Sequence, residues 1–546
     1  MKYIKILGIS AALLTGIFAV SLENDRLFEI AKNMELYSSV YKMLNTHYVD
    51  EIDPNTLMKT GIDAMVGSLD PYTNYITESQ VQSYRISDDE KFQGIGASVY
   101  KIGEKFYLTN VLEGGSAQEA GLKAGDELIT INGSALKDKT ENDVISLLRG
   151  APSTNVAILL KENLTGKEIN HNLKRDEVKI SNVPHFDLVG DGVGYIQLTT
   201  FTENSAANIS KAFKKLKERD ENLKGLMIDL RHNGGGLLRE AVNICNLFIP
   251  RGKEVVTTKG KLRDKDNVFK TMMTPEDLDI PLVVLVDGRS ASASEIVSGV
   301  LQDYDRAVIL GQRTYGKGLV QNFFEVGYNS RVKVTISKYY IPSGRCIQGV
   351  EYANGDPIDI PDSKRSKFKT KNGRTVLDGG GVTPDVKIEK QELSSLMKAM
   401  SDQKMVFLYA NEFVKKNPKF DGDITSFNFK EFNDFIAFLD KANFSYELEG
   451  EDHYKNLVAS LDKAENLKKD LSLNIKTIGD RFKLEKQQDI NKHQQEIIHE
   501  LEKEIASRYG FEKGKSQINL RNDAEVKEAI NILNNKTKYN AILGLN

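Results

Sequence analysis

Five consecutive apolar residues, Leu282-Val283-Val284-Leu285-Val286, leave no polar position to turn toward water. Such a strand must be covered on both faces, which favours a parallel sheet between layers of helices. The pattern recurs from 186 to 340. Val193 to Leu198, Leu226 to Leu230, Ala307 to Leu310 and Val332 to Ile336 read as further strands, with Ala206 to Glu218 and Leu238 to Phe248 as intervening helices. A largely parallel α/β domain is predicted here.

The flanking regions differ. Leu27, Ile30, Met34, Tyr37, Tyr41 and Leu44 recur at three- and four-residue steps, Asp53-Pro54 opens a second helix, and Asp70-Pro71-Tyr72 closes it with a turn. From Phe92 short strands are broken by glycine: Tyr107 to Leu112, Glu127 to Ile131 and Val156 to Leu160, with a helix from Asp143 to Leu148. Beyond 390 only 6 of the 42 glycines remain, and long charged helical patterns such as Asp489 to Arg508 read as a helical appendage with solvated faces.

With 40% hydrophobic and 28% charged residues, the 546-residue chain is neither a polytopic membrane protein nor disordered. A net charge of −3 supplies no field for nucleic acid. Cys245 and Cys346 stand apart with no CxxC or Cys/His spacing, so neither a zinc site nor a disulfide framework is expected. Lys2 and Lys5 precede an uncharged run from Ile6 to Val20, the form of an export signal, with an uncleaved membrane anchor as one variant and a buried first helix as the alternative.

Three segments carry chemistry. Leu282 to Val286 runs through Asp287-Gly288-Arg289 into Ser290-Ala291-Ser292-Ala293-Ser294-Glu295, a strand, sharp turn and helix start of the kind that exposes a nucleophilic serine; a capping box accounts for the same residues. Gly311 to Gln321 mimics a phosphate loop, but Gly318 stands where Ser or Thr must hold magnesium, and a strand follows instead of a helix. Lys317, set among glycines and apolar residues, can lose its proton and act as a general base, with the Gln321 amide four residues on to orient it. Leu226 to Leu230 ends in Arg231-His232-Asn233-Gly234-Gly235-Gly236, a run that suits an anion cradle, an oxyanion hole or a plain turn. His232 and His185 keep a Ser-His-Asp arrangement open as a competitor. Ser39 to Lys42 and Ser395 to Lys398 match SxxK but fall on amphipathic helical stretches, where chance accounts for them.

Together these motifs resemble the carboxyl-terminal processing (tail-specific) proteases, exported serine peptidases with a Ser–Lys dyad. The resemblance runs from about 25 to 390 and includes Asp70-Pro71-Tyr72-Thr73, the glycine run, the serine turn, Gly316-Lys317-Gly318 with Gln321, Tyr340 to Arg345 and Gly381 to Asp385. It implies Ser292 as nucleophile, Lys317 as base, Gln321 as its orienting partner, and an oxyanion hole from the N–H groups of Ala293 and Gly236, without metal or cofactor. It also implies an inserted PDZ module whose carboxylate-binding loop is Gly94, Ile95, Gly96 and Ala97, taking protein or peptide substrates by exposed C-terminal tails.

The expected organisation is a signal peptide or anchor (1–22), a helical part of the protease region (23–91), a PDZ domain (92–175), a crotonase-like mixed α/β catalytic domain (176–390) and a helical extension (391–546). The expected place of work is the periplasm, free or membrane-anchored. Two alternatives are a catalytically silent peptide-binding scaffold and a processing enzyme dependent on an adaptor or regulator docked on the tail.

Overall fold

The computed structural model describes residues 26–80, 91–179, 181–262, 266–349, 352–353, 356–358, 360–389, 392–461 and 465–545. The expected export segment lies outside them. Among the described residues no helix is long and apolar enough to cross a membrane. The chain divides into two units. One combines the N-terminal part through 81 with Gln321–Thr335; the other holds Gln82–Val320 and Ile336–Asn546.

In the first unit, a helix over 26–47 is followed by the helix Pro54–Gly67, whose start is capped by the Asp53 carboxylate. Leu27, Phe28, Met34 and Val40 on the first helix are exposed. Asp70 Oδ1 accepts the N–H groups of Tyr72 (2.8 Å) and Thr73 (2.9 Å), turning the chain into the strand Asn74–Ile76. That strand pairs antiparallel with Arg331 to Lys333. The expectation that Val332 to Ile336 joins the parallel sheet is therefore corrected. These positions belong to the long antiparallel strand Ser330–Tyr340, whose residues are mostly half-buried, so it never needed cover on both faces.

The second unit begins with a β-rich module. Lys91–Gly94 and Asp176–Lys179 pair antiparallel where the chain enters and leaves it. Between them β1 (Ala97–Ile102), β2 (Lys105–Val111), β3 (Glu127–Ile131), β4 (Asn155–Lys161) and β5 (Glu168–Lys174) form an antiparallel sheet in sequence order. The helix α1 (Glu141–Leu148), held by a Thr140–Asp143 capping box, packs against the edge strand β1.

The region from 186 to 387 is built on a six-stranded sheet. Its strands are β6 (Phe186–Val189), β7 (Val193–Gln197), β8 (Gly225–Asp229), β9 (Leu282–Val286), β10 (Val308–Gly311) and β11 (Val386–Lys387), adjacent in that order. Only β6 runs antiparallel to its neighbour. The alternation along β9 explains the apolar run: Leu282, Val284 and Val286 enter a core with α2 (Ser205–Arg219), α3 (Leu238–Phe248) and α4 (Ala293–Asp303). Val283 and Leu285 face the opposite layer.

That opposite layer is the end of the chain. The helix α5 (Met405–Lys416) and the long α6 (Gln494–Asn522) share a second core, while α7 (Ala524–Leu533) and α8 (Lys536–Leu543) lie on the sheet through Val526, Ala529, Ile532, Leu533, Tyr539 and Leu543. The tail is thus no appendage to this six-stranded sheet but its second cover. Short amphipathic helices with dense charge on their outer faces hid this in the sequence. The helix expected over 489–508 is also interrupted, with a break at His493.

Candidate active site

The β9 strand delivers the chain to a turn organised by Asp287. Its Oδ1 accepts the N–H groups of Arg289, Ser290 and His232, each at 3.0 Å, and Ser290 Oγ donates to Leu230 O at 2.8 Å. Ser292 follows with φ 57° and ψ −113°, a conformation that a side chain tolerates only when its surroundings impose it. α4 starts at Ala293, so Ser292 stands before a helix N-terminus whose first N–H groups have no helical acceptor. Ser292 is half-buried and Ala293 buried.

Glu295 imposes that geometry. Its fully buried carboxylate accepts four hydrogen bonds: Oε1 from Thr314 Oγ1 (2.6 Å) and Gly316 N (2.7 Å), Oε2 from Ser292 N and Lys317 N (both 2.8 Å). Burial pushes its pKa up to about 7 against the pull of these donors. The Tyr339 hydroxyl adds a second tie, lying between the carbonyl oxygens of Ser292 (3.1 Å) and Lys317. Capping, the role the sequence suggested for Glu295, accounts for one of its four contacts. The others come from residues 19 to 22 positions away and left no local signal.

The glycine run forms the facing wall. Asn233 anchors it: Nδ2 donates to Leu198 O (2.8 Å), Oδ1 accepts Gly235 N–H (2.9 Å), and the carbonyl accepts from Ala291 N (3.0 Å) and Ser294 Oγ (2.8 Å). Gly235, at φ 101°, meets the serine turn directly, since a Cβ there would lie 2.8 Å from Ser292 Cβ and 2.9 Å from Ala293 N. Gly236 bridges to Phe201 in parallel register, with Phe201 N donating to Gly235 O (3.0 Å) and Leu237 N to Phe201 O (2.7 Å). Those two bonds flank Gly236, so its own N–H points away from Phe201.

The histidines take other positions. His232 Nδ1 lies 2.8 Å from Asp287 Oδ2, while its side chain is 71% exposed. The hydrogen bond that His232 donates to Asp287 raises the His232 pKa; burial works against Asp287, yet the contacts from His232 bring that carboxyl down to about 2. His185 is buried against the Tyr195 ring, and burial lowers its pKa. Cys245 is wholly buried in α3, and both cysteines are free. Among the described residues no group of three or more His, Cys, Asp or Glu could hold a metal ion.

Gln321 belongs to the first unit, where its Nε2 donates to Thr335 Oγ1 (3.2 Å) and Thr335 N donates to Thr73 Oγ1 (3.2 Å). Thr73 is fastened in turn to Asp70 Oδ2 at 3.0 Å, which connects the Asp70-Pro71-Tyr72-Thr73 motif to the glutamine.

In the β-rich module, Gly94 to Ala97 are buried where the chain enters the edge strand β1. Ala117 N and Leu112 N hold the loop through the carbonyls of Ile95 (2.9 Å) and Gly96 (2.8 Å). The edge strand β1 thus runs between this loop and α1.

The sequence matches three family models: peptidase family S41 over 192–354, a PDZ domain over 107–162, and a PDZ-protease C-terminal helical domain over 396–533. It is 31% identical over 361 residues to a carboxy-terminal-processing protease of Bartonella bacilliformis, covering 66% of this chain and 82% of that one. It is 32% identical over 393 residues to a protein of Staphylococcus aureus named "Probable CtpA-like serine protease", covering 70% and 77%. A solved photosystem II D1 C-terminal processing protease aligns at 26% identity over 65% of this chain and 92% of that chain, with a TM-score of 0.36.

Proposed function

Because the chain belongs to peptidase family S41, among its carboxy-terminal-processing proteases, it is a serine-type peptidase with a PDZ domain, and we propose that Ser292 and Lys317 are its catalytic pair. The observation that carries this reading is the shared carboxylate oxygen of Glu295, which takes the N–H groups of both residues.

Neutral Lys317 accepts the Ser292 hydroxyl proton as Oγ attacks a peptide carbonyl. The N–H groups of Ala293 and Gly236 stabilise the oxyanion. The Lys317 ammonium returns the proton to the departing amine, leaving an ester on Ser292. Water then attacks the ester with Lys317 again as base, which releases the acid and restores the serine. Gln321 orients the lysine, and no metal or cofactor enters. The sheet with its helical layers forms a crotonase-like core. The PDZ slot takes a flexible, apolar tail by its terminal carboxylate through Gly94 to Ala97. The N-terminal segment exports the protein to the periplasm and leaves it free or anchored.

The test is cleavage of an unstructured protein with an apolar C-terminus, and of the same protein with a charged one, by wild type, Ser292→Ala and Lys317→Ala, all checked for folding. Loss of cleavage in both variants with preference for the apolar tail is the expected result. Activity surviving in Lys317→Ala, or a Lys317 fully protonated at the activity optimum, rejects the dyad. Absence of cleavage by wild type moves the assignment to a scaffold or an adaptor-dependent enzyme. Membrane fractionation of cells producing the full chain tests export, which cytosolic recovery of intact protein rejects.

A further inference from the structure

Two residues beyond the end of β8, one guanidinium is surrounded by three carboxylates. Arg231 Nε lies 3.0 Å from Asp229 Oδ1, and its Nη2 lies 2.6 Å from Asp229 Oδ2, which also accepts the Tyr195 hydroxyl at 2.7 Å. Nη1 reaches Asp523 Oδ2 (2.7 Å) and Glu525 Oε2 (2.5 Å). The Arg231 side chain is only 14% exposed and the three carboxylates less than that. A single cation among three poorly solvated anions is held hard in place, because any departure leaves uncompensated charge.

Asp523 and Glu525 open α7. Asp523 caps that helix, its Oδ1 accepting the N–H groups of Glu525 (2.9 Å) and Val526 (3.1 Å) while Oδ2 takes the arginine. α7 is fastened to the sheet by Val526, Ala529, Ile532 and Leu533, so the partner of Arg231 is a rigid element. Downstream of Arg231 the chain has no regular structure until α3, and within that stretch Gly235 touches the Ser292 turn. Only three residues separate the pinned arginine from that contact.

We propose that Arg231, Asp523 and Glu525 are positioning residues: through this clamp the C-terminal helix pair sets the glycine loop against the Ser292 turn, and so forms part of the catalytic apparatus. The inference rests on the assignment of Ser292 and Gly236 given above. The clamp touches no substrate, so its loss should slow turnover without weakening substrate capture.

The experiment uses the full chain and an unstructured protein substrate. Glu525→Gln keeps the Asp523 cap and most of the shape. It should lower kcat about tenfold with KM changed less than about twofold, and Asp523→Asn with Glu525→Gln should lower it further. Glu525→Asp should restore most of the rate. Hydrogen exchange of amides 232–237 should quicken in the variants while α3 and α4 keep their protection. Unchanged kcat in the folded double variant overturns the proposal, as does a loss of rate that only follows the folded fraction. If Ser292→Ala still cleaves, the catalytic assignment fails instead; the exchange of 232–237 then decides the clamp by itself, unchanged protection overturning it.

Discussion

Ser292 and Lys317 donate their backbone N–H groups to the same atom, Oε2 of Glu295, each over 2.8 Å. The chain between them forms α4 and β10, yet one buried carboxylate fixes both ends. The pairing of a serine turn with a lysine loop is therefore built at the level of main chain, before either side chain acts.

Glu295→Gln should loosen this junction. A glutamine offers an oxygen to one pair of donors and an NH2 group to the other, so either the Ser292 and Lys317 N–H groups or the Gly316 N–H group faces a donor and the junction cannot keep all four bonds. We expect kcat to fall about 10²-fold, the cost of misplacing reacting groups by about an ångström. The stability profile is a second readout. The native Glu295 pKa, raised to about 7, exceeds the unfolded value near 4.5, so its contribution is fully present below about pH 4.5 and is lost as the pH rises through 7, an amount of about 3 kcal/mol. Thermal midpoints from pH 4 to 8 should show this decline in wild type and not in Glu295→Gln. Parallel profiles would refute the assignment.

Gly235→Ala tests the facing wall. Its Cβ would meet Ala291 O at 2.7 Å as well as the Ser292 turn, in a backbone conformation at φ 101° that disfavours any side chain. A loss of about 2 to 4 kcal/mol in stability is expected, with activity falling further than the folded fraction explains. Wild-type turnover in a folded Gly235→Ala protein would show that the glycine loop does not bear on Ser292.

The parallel strands, the serine turn and the lysine loop were legible because each is written in neighbouring residues: apolar runs, small residues at a turn, glycines around a lysine. What stayed hidden depends on distance along the chain. Val332 to Ile336 reads as one more parallel strand because the partners of the strand it belongs to, Asn74 to Ile76 and Thr257 to Gly260, lie far away and its own pattern does not declare a sheet. Thr314 and Tyr339 gave no sign of serving the site, since a threonine three residues before a lysine is unremarkable until Glu295 is seen between them. Asp523 lies in the charged C-terminal region, where nothing in the local sequence ties it to Arg231. In the structure it also meets Arg231.

His232 should prove dispensable for chemistry. Its exposed imidazole pairs with Asp287, which orders the turn, so His232→Ala should keep activity within about threefold while losing the pair's stabilisation. The sign follows from both partners. The raised His232 pKa contributes below about 6.5 and fades as the pH rises through the native value. The lowered Asp287 pKa contributes above about 3.8 and fades as the pH falls through about 2. The midpoint difference between wild type and variant should thus be largest between about pH 4 and 6.5. Loss of cleavage in folded His232→Ala would return the serine–histidine arrangement to consideration.

Ile532→Ala asks whether the end of the chain is structurally part of the catalytic core. Ile532 is wholly buried between α7 and the sheet that carries β9, so its truncation removes packing from the layer behind Ser292. A loss of about 2 to 5 kcal/mol is expected. The decisive feature is cooperativity: if α7 is a true layer of the sheet, helical signal and protease activity should vanish at one shifted denaturant concentration. The chain has no Trp, so far-ultraviolet circular dichroism and residual activity are the appropriate probes. An early partial loss of helix that leaves activity intact would instead describe a detachable tail, and would also remove the rigid partner on which the Arg231 clamp depends.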